Sequence, residues 1–335
     1  MENDTNFKAL VVEKSVDKQF TRGIRERTIN DLQPGDLVVR VHYSSLNYKD
    51  ALSATGHPGV TRQFPHTPGI DAAGEVVSCQ SGVFSPGEKV LITGYDLGME
   101  TDGGWGQLIR IPSEWALRLP EGLSLRDSMA LGTAGFTAGL SVLKLVQAGV
   151  HPDQGSVLVT GATGGVGSIA VAILAGAGYR VVASTGKEAD TEYLKGLGAA
   201  EVISRDAVAA GAEKAVLLER WGGVVDVVGG TTLVAALKST KYGGTVTCCG
   251  LVGSPELSLN VYPFILRGVS LIGIDSVQCP LAVRAEVWKR LASAWKPARL
   301  DDVVTECTLQ GIEPVIQAIL KGNVTGRTVI NMMES

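Results

Sequence analysis

Residues 155–187 read GSVLVTGATGGVGSIAVAILAGAGYRVVASTGK. An apolar run from Val157 to Val159 enters a glycine-dense turn (Gly161, Gly164, Gly165, Gly167). A small, apolar helical segment follows, then a second apolar run from Val181 to Ala183. That order predicts strand, turn, helix and strand within a unit of about 30 residues. Glycines let the backbone approach a pyrophosphate, and the helix start offers unpaired N–H donors and the positive end of its dipole. The stretch therefore predicts a dinucleotide site. Its spacing differs from the common G-x-G-x-x-G: it runs Gly161-Ala162-Thr163-Gly164-Gly165-Val166-Gly167, with the middle glycine displaced.

The end of the second strand selects the dinucleotide. NAD enzymes usually place Asp or Glu about 20 residues on, to bind the ribose 2′-hydroxyl. Here the residues are Ser184-Thr185-Gly186-Lys187, with Glu188 one place later. Hydroxyls, a glycine and a cation suit a 2′-phosphate, whereas an acid would repel it. The expectation is NADPH, with Lys187 as the main charge, Thr185 as a donor and Gly186 between them.

Composition narrows the class. The chain has 335 residues, 45% hydrophobic and 19% charged, enough for about two domains and a large core. A net charge of −4 gives no basic footprint, so no nucleic acid partner is expected. The sequence gives no apolar run of about 18 residues, so no membrane span is expected. The start, MENDTNFKAL, is acidic and polar, unlike a secretory signal. Cys79, Cys248, Cys249, Cys279 and Cys307 are scattered without C-x-x-C, as free thiols in a reducing, cytoplasmic setting would be. His42, His57, His66 and His151 lack ligand-like neighbours, so no zinc is expected.

Residues 1–127 read as mostly β. Strand-like runs are Lys8 to Val12, Asp36 to Ser44, Ala72 to Ser78, Lys89 to Thr93 and Gln107 to Ile111, separated by turn signals such as Gln33-Pro34-Gly35-Asp36 and Ser85-Pro86-Gly87-Glu88. They predict a compact, barrel-like domain. From Ser124, a candidate N-cap, the pattern becomes helical and then alternates. Strands are expected at 156–160, 180–184, 201–203, 224–228, 244–249 and 269–274, with helices between them. Alternation of this kind predicts a parallel sheet with right-handed crossovers, an α/β fold. The run Gly223 to Gly230 and the run Thr245 to Gly250 read as buried strands whose ends face the ligand crevice. The tail strand, ending at Ile330, is expected to rejoin the first domain. The nucleotide domain, 128–275, would then be inserted in a β domain of 1–127 completed by 276–335, with the active site in the cleft.

Three stretches carry a resemblance that covers the whole chain: Thr160 to Gly167, Pro68 to Gly74, and Phe84 to Val90. They resemble the medium-chain dehydrogenase/reductases. Zinc alcohol dehydrogenases of that superfamily carry Gly-His-Glu where this chain has Gly69-Ile70-Asp71, a ligand cysteine in the region of Asn47 to Asp50, and a four-cysteine lobe near residue 100. This chain lacks all of these, and so is more similar to the zinc-free quinone oxidoreductase and enoyl reductase branch. Within that branch Ser44 to Leu52, Gly132 to Ala138 and Pro263 to Arg267 resemble the YhdH/YhfP-type group, which includes NADPH-dependent acryloyl-CoA reductases.

The resemblance implies a Rossmann doubly wound sheet inserted in a GroES-like barrel domain. It further implies that Thr163, Gly164, Gly165 and Val166 hold the pyrophosphate. Arg205 would join Thr185 to Lys187 at the 2′-phosphate, Leu251, Ile265 and Ser276 would lie along the nicotinamide, and Arg327 would reach in from the tail. Tyr48 would donate a proton or stabilise an oxyanion, oriented by Asn47; the alternative is that Tyr48 only packs beside the nicotinamide or bonds its ribose. Asp71 is expected to be structural. The leading activity is reduction of acryloyl-CoA, a small-molecule substrate. Quinone reduction is a second reading, and a non-catalytic NADPH-binding protein is a third. A homodimer is expected, with Val269 to Ile274 as an edge strand.

Overall fold

The computed structural model describes residues 6–334. Packing divides the chain into two compact units. One holds the residues up to 133, 277–285 and those from 300 on; the other holds 134–276 and 286–299.

In the first unit a seven-stranded sheet runs in the order Val304–Thr308, Arg327–Asn331, Leu37–Leu46, Asp71–Cys79, Lys89–Thr93 and Ala116–Arg118, with Leu108–Ile111 also paired to Leu37–Leu46. The tail strand lies antiparallel on Leu37–Leu46, Thr328 opposite Leu46 and Asn331 opposite Tyr43. Inward-facing Val39, Val41, Ala72, Val90, Ile92, Ile109 and Trp105 form one apolar core. A separate hairpin pairs Asn6–Lys14 with Phe20–Thr28. Two strands carry no sequence signal. Phe20–Thr28 reads FTRGIRERT and stays half exposed, so it lacks a buried apolar face, and Ala116–Arg118 is only three residues long.

In the second unit a six-stranded parallel sheet runs Glu201–Ser204, Val181–Thr185, Ser156–Val159, Trp221–Asp226, Thr240–Cys248 and Ser270–Gly273. Strand order reverses between Ser156–Val159 and Trp221–Asp226, which is where doubly wound sheets open their ligand crevice. Leu158, Val182, Val224 and Val246 supply the core under the helices.

Two expectations need correction. The units part at 133/134 rather than 127/128, and 286–299 belongs with the nucleotide unit rather than with the β domain. Packing explains the second difference. Trp288, fully buried, stacks on Phe136 at 6.3 Å, and a Cβ on Gly139 would stand 2.9 Å from Val287 Cγ1. The helix Leu125–Gln147 does contain a stretch long and apolar enough to cross a membrane, but most of it is buried inside the fold. Its glycines, alanines and hydroxyl residues are small because it is a packed core helix.

That helix is broken at Gly132, whose φ of +53° places it in the left-handed region. The break lets Thr133 deliver its N–H (2.9 Å) and hydroxyl (2.6 Å) to the carboxylate of Asp71. Asp71 is fully buried and also accepts Ser45 Oγ–H at 2.5 Å and Asn47 Nδ2–H at 2.8 Å. Asp50, equally buried, accepts the backbone N–H of Asn47 (2.8 Å), its Nδ2–H (3.1 Å) and the N–H of Ile70 (2.8 Å). Arg327 Nη2 stands 3.7 Å from Asp71, giving two buried carboxyls for one guanidinium. Burial first, and the charge of Asp71 second, push Asp50 from 3.8 up to about 7. A raised acid means that the folded state holds a proton the unfolded chain has released. This group's contribution is therefore complete below about pH 4 and fades as pH rises through about 7. The unfolding free energy of the wild type should fall across that window by on the order of 2–4 kcal/mol relative to Asp50→Asn. Urea denaturation at several pH values tests this; parallel profiles for the two proteins would refute it.

Candidate active site

The second unit builds a cradle for a dinucleotide at the ends of its central strands. After Val159 the chain turns at Gly161, φ +58°, and the helix Gly165–Gly176 starts behind Gly164. A Cβ on Gly161 would stand 2.6 Å from Val227 Cγ2, and one on Gly167 would stand 2.4 Å from the Gly161 carbonyl. Only glycine permits this closeness, which brings helix, strand and turn together. Gly250, after Thr240–Cys248, is equally constrained: its Cβ would fall 1.9 Å from the Val227 carbonyl. These cradles fit the pyrophosphate of a dinucleotide. Gly164, Gly165 and Val166 are partly exposed at the helix start; the Gly164 N–H closes the turn on the Gly161 carbonyl at 3.0 Å, and the first helical turn behind it is where a helix offers N–H donors to an anion. Thr163 lies deeper, 6% exposed, with its hydroxyl 3.2 Å from that of Thr185.

A 2′-phosphate is expected at the corner that ends the strand Val181–Thr185. Thr185 is 3% exposed, and its hydroxyl accepts the Lys187 N–H at 2.9 Å. It therefore shapes the corner from beneath, its hydroxyl engaged by Lys187 and Thr163. The exposed groups are Gly186 and Arg205, with Lys187 half-buried beside them. Residues 19 places apart in sequence meet here: Arg205 Nη2 is 3.0 Å from where a Cβ would stand on Gly186. Ser204 caps the helix Arg205–Ala209 by accepting the Ala207 N–H. Farther along, Leu251 (68% exposed) follows the strand Thr240–Cys248, Ile265 (69%) sits on the helix Tyr262–Arg267, and Ser276 lies half-buried beyond Ser270–Gly273.

Sequence reasoning missed Asp226, the last residue of the strand Trp221–Asp226. It is fully buried and accepts Thr160 Oγ–H at 2.7 Å and Gly229 N–H at 2.8 Å. Burial raises its pKa. The signal was a lone acid within Val224-Val225-Asp226-Val227-Val228. Beside it, burial and the Asp226 charge push the Cys249 thiol up to about 12, so it remains an inert thiol.

In the first unit Tyr48 opens the helix Tyr48–Ala54 and is 47% exposed. Asn47 is the N-cap and forms a capping box with Asp50, a pairing legible as Asn-x-x-Asp but not read from the sequence. Asn47 does not bond the Tyr48 hydroxyl as expected. Its Nδ2 donates to Asp71 and Asp50, and its Oδ1 accepts Arg327 Nη1–H at 3.1 Å. Charges on both sides thus fix its amide orientation, and Asn47 acts on Tyr48 through the backbone of the cap. Arg327, expected at the cofactor, meets protein groups in this structure. Arg327 is 3% exposed and turned inward, donating to the carbonyls of Ala130 and Leu46, to Asn47 Oδ1 and to Ser45 Oγ. Asp71 proves structural, because donors from Ser45, Asn47 and Thr133 occupy both of its oxygens. Among the described residues no three His, Cys, Asp or Glu side chains gather as a metal-binding group.

Comparison with known proteins places this geometry. Residues 33–121 match the alcohol dehydrogenase GroES-like domain, and 165–293 match the family described as zinc-binding dehydrogenase. The crystal structure of Bacillus subtilis YhfP with NAD bound is 46% identical and superposes with a TM-score of 0.96, covering 98% of this chain and all of that one. The Salmonella enterica yhdH oxidoreductase in complex with NADP is 42% identical with a TM-score of 0.94, over 97% of this chain and 99% of that one. The acrylyl-CoA reductase AcuI of Ruegeria pomeroyi is 42% identical over 97% of this chain and 99% of its own length. The chain therefore belongs to the medium-chain dehydrogenase/reductase family, in its YhdH/YhfP group, and is an NAD(P)-dependent oxidoreductase.

Proposed function

We propose that this enzyme uses NADPH, without zinc, to reduce the activated carbon–carbon double bond of acryloyl-CoA, giving propionyl-CoA. The observation that carries the reading is the likeness to an acrylyl-CoA reductase along nearly the whole of both chains. The exposed Tyr48 phenol, held on a capped helix start, supports it. NADPH is preferred over NADH because Lys187 and Arg205 bring two cations to the Gly186 corner and no acid ends the strand Val181–Thr185. When bound, the dinucleotide supplies the hydride for the β carbon. Tyr48 donates its O–H toward the thioester oxygen as negative charge builds there, or passes its proton to the α carbon. Asn47 holds the first turn that carries Tyr48. Leu251 and Ile265 add apolar surface that limits water around the reacting carbons.

Quinone reduction is the second reading, favoured by the 46% identity to YhfP, whose name places it provisionally among quinone oxidoreductases. It needs no proton donor of the Tyr48 kind. A protein that binds NADPH without turning it over is the remaining alternative. We also place the enzyme in the cytoplasm, which suits its five free thiols, and as a homodimer joined along the edge strand Ser270–Gly273.

Three outcomes are expected. NADPH absorbance should fall when acryloyl-CoA is added and far less with a quinone; turnover with the quinone alone would replace the first reading by the second. Tyr48→Phe should lower kcat with acryloyl-CoA about a hundredfold with little change in the KM for NADPH, and an unchanged kcat would leave Tyr48 as a packing residue. Lys187→Ala should raise the KM for NADPH about tenfold or more while the KM for NADH stays put. Equal effects on both cofactors would count against the 2′-phosphate corner.

A further inference from the structure

Asp226 touches neither solvent nor the exposed edge of the cradle, yet it joins three strand ends at the point where sheet order reverses. Its Oδ1 accepts the Thr160 hydroxyl, its Oδ2 accepts the Gly229 N–H, and its main-chain carbonyl accepts the Cys249 N–H at 3.1 Å. Thr160 Oγ1 in turn accepts the Val227 N–H at 3.0 Å. Thr160 immediately precedes Gly161, and Val227 Cγ2 fills the space that a Gly161 side chain would need. The loop opposite depends on Gly229 and Gly230, at φ of +76° and +54°. Val227 packs on Gly161, but van der Waals contact is non-directional, and only hydrogen bonds of fixed geometry set the separation of two glycine-containing loops. A lone carboxyl buried in an apolar strand end is costly to desolvate, and its hydrogen bonds offset that cost only in one geometry.

We propose that Asp226 is a positioning residue for the dinucleotide: through Thr160 and Gly229 it fixes the gap between the glycine turn and the Val227–Gly230 loop, and so sets affinity for the pyrophosphate. This rests on the cofactor reading above. The test compares Asp226→Ala, Thr160→Val and the double variant, each titrated calorimetrically with NADPH and with 2′-AMP, which lacks the pyrophosphate. Thermal melts of the ligand-free proteins accompany the titrations. Each single variant should weaken NADPH binding about tenfold. The double variant should be no weaker than the worse single, because the two residues act as one unit. Affinity for 2′-AMP should stay within about twofold. NADPH affinity unchanged in a folded variant, or 2′-AMP affinity lost in equal proportion, would overturn the proposal and leave Asp226 a stability residue. Should Asp226→Ala fail to fold, Thr160→Val, close to isosteric, decides the question alone. Wild-type protein that does not bind NADPH would instead remove the cofactor reading, and this inference with it.

Discussion

One buried electrostatic knot organises the first unit. Asp71, Asp50, Asn47 and Arg327 come from a strand, a helix start and the returning tail, and Thr133 adds a donor from the far side of a helix break. Ion pairs out of water rarely add net stability over apolar replacements, but they tolerate few alternative arrangements. Apart from the local Asn47–Asp50 capping box, the partners lie far apart in sequence: residues 45–50, 71, 133 and 327 must all be in place for every member to be satisfied. The knot thus specifies where the tail strand returns and where the helix bearing Tyr48 begins.

The second unit obeys a steric constraint instead. Side chains are excluded at Gly161, Gly167 and Gly250, where the nearest atoms belong to backbone or to packed valines. This is why the cradle could be read from residues 155–187 alone. A missing Cβ is visible in a sequence, whereas a hydrogen bond between distant residues is not. The same contrast separates what was legible in the site from what was not. The parallel strands announce themselves as short apolar runs, and so does the antiparallel strand Lys89–Thr93, whose bounds the sequence predicts to the residue. Phe20–Thr28 stays hidden because its arginines break the apolar pattern: Arg22 and Arg27 pair with Glu313 and Asp102, distant in sequence, and its pairing partner, not its own pattern, makes it a strand.

Residue types point to the polar chemistry of Thr163, Thr185, Asn47 and Arg327 but carry no information on which protein groups these side chains meet. The sequence alone leaves open that Thr163 and Thr185 turn toward one another, and that Asn47, expected to orient Tyr48, and Arg327, expected to reach the cofactor, turn into the carboxyl knot. Orientation depends on which partner is nearer after folding, and that information is spread over segments hundreds of residues apart. Asp226 was overlooked for the opposite reason. Its run reads as a buried strand, although an acid in such a run must have donors waiting for it.

The chain passes between its two compact units four times, at 133/134, 276/277, 285/286 and 299/300. Neither unit is a continuous stretch, so shuffling by a single crossover would always deliver an incomplete module. A chimera exchanging 134–276 alone would strand Phe136 without the indole of its own Trp288. Recombination in such proteins must carry the short distal segment along with the long one, which ties the inheritance of cofactor preference to a stretch far downstream of the residues that set it.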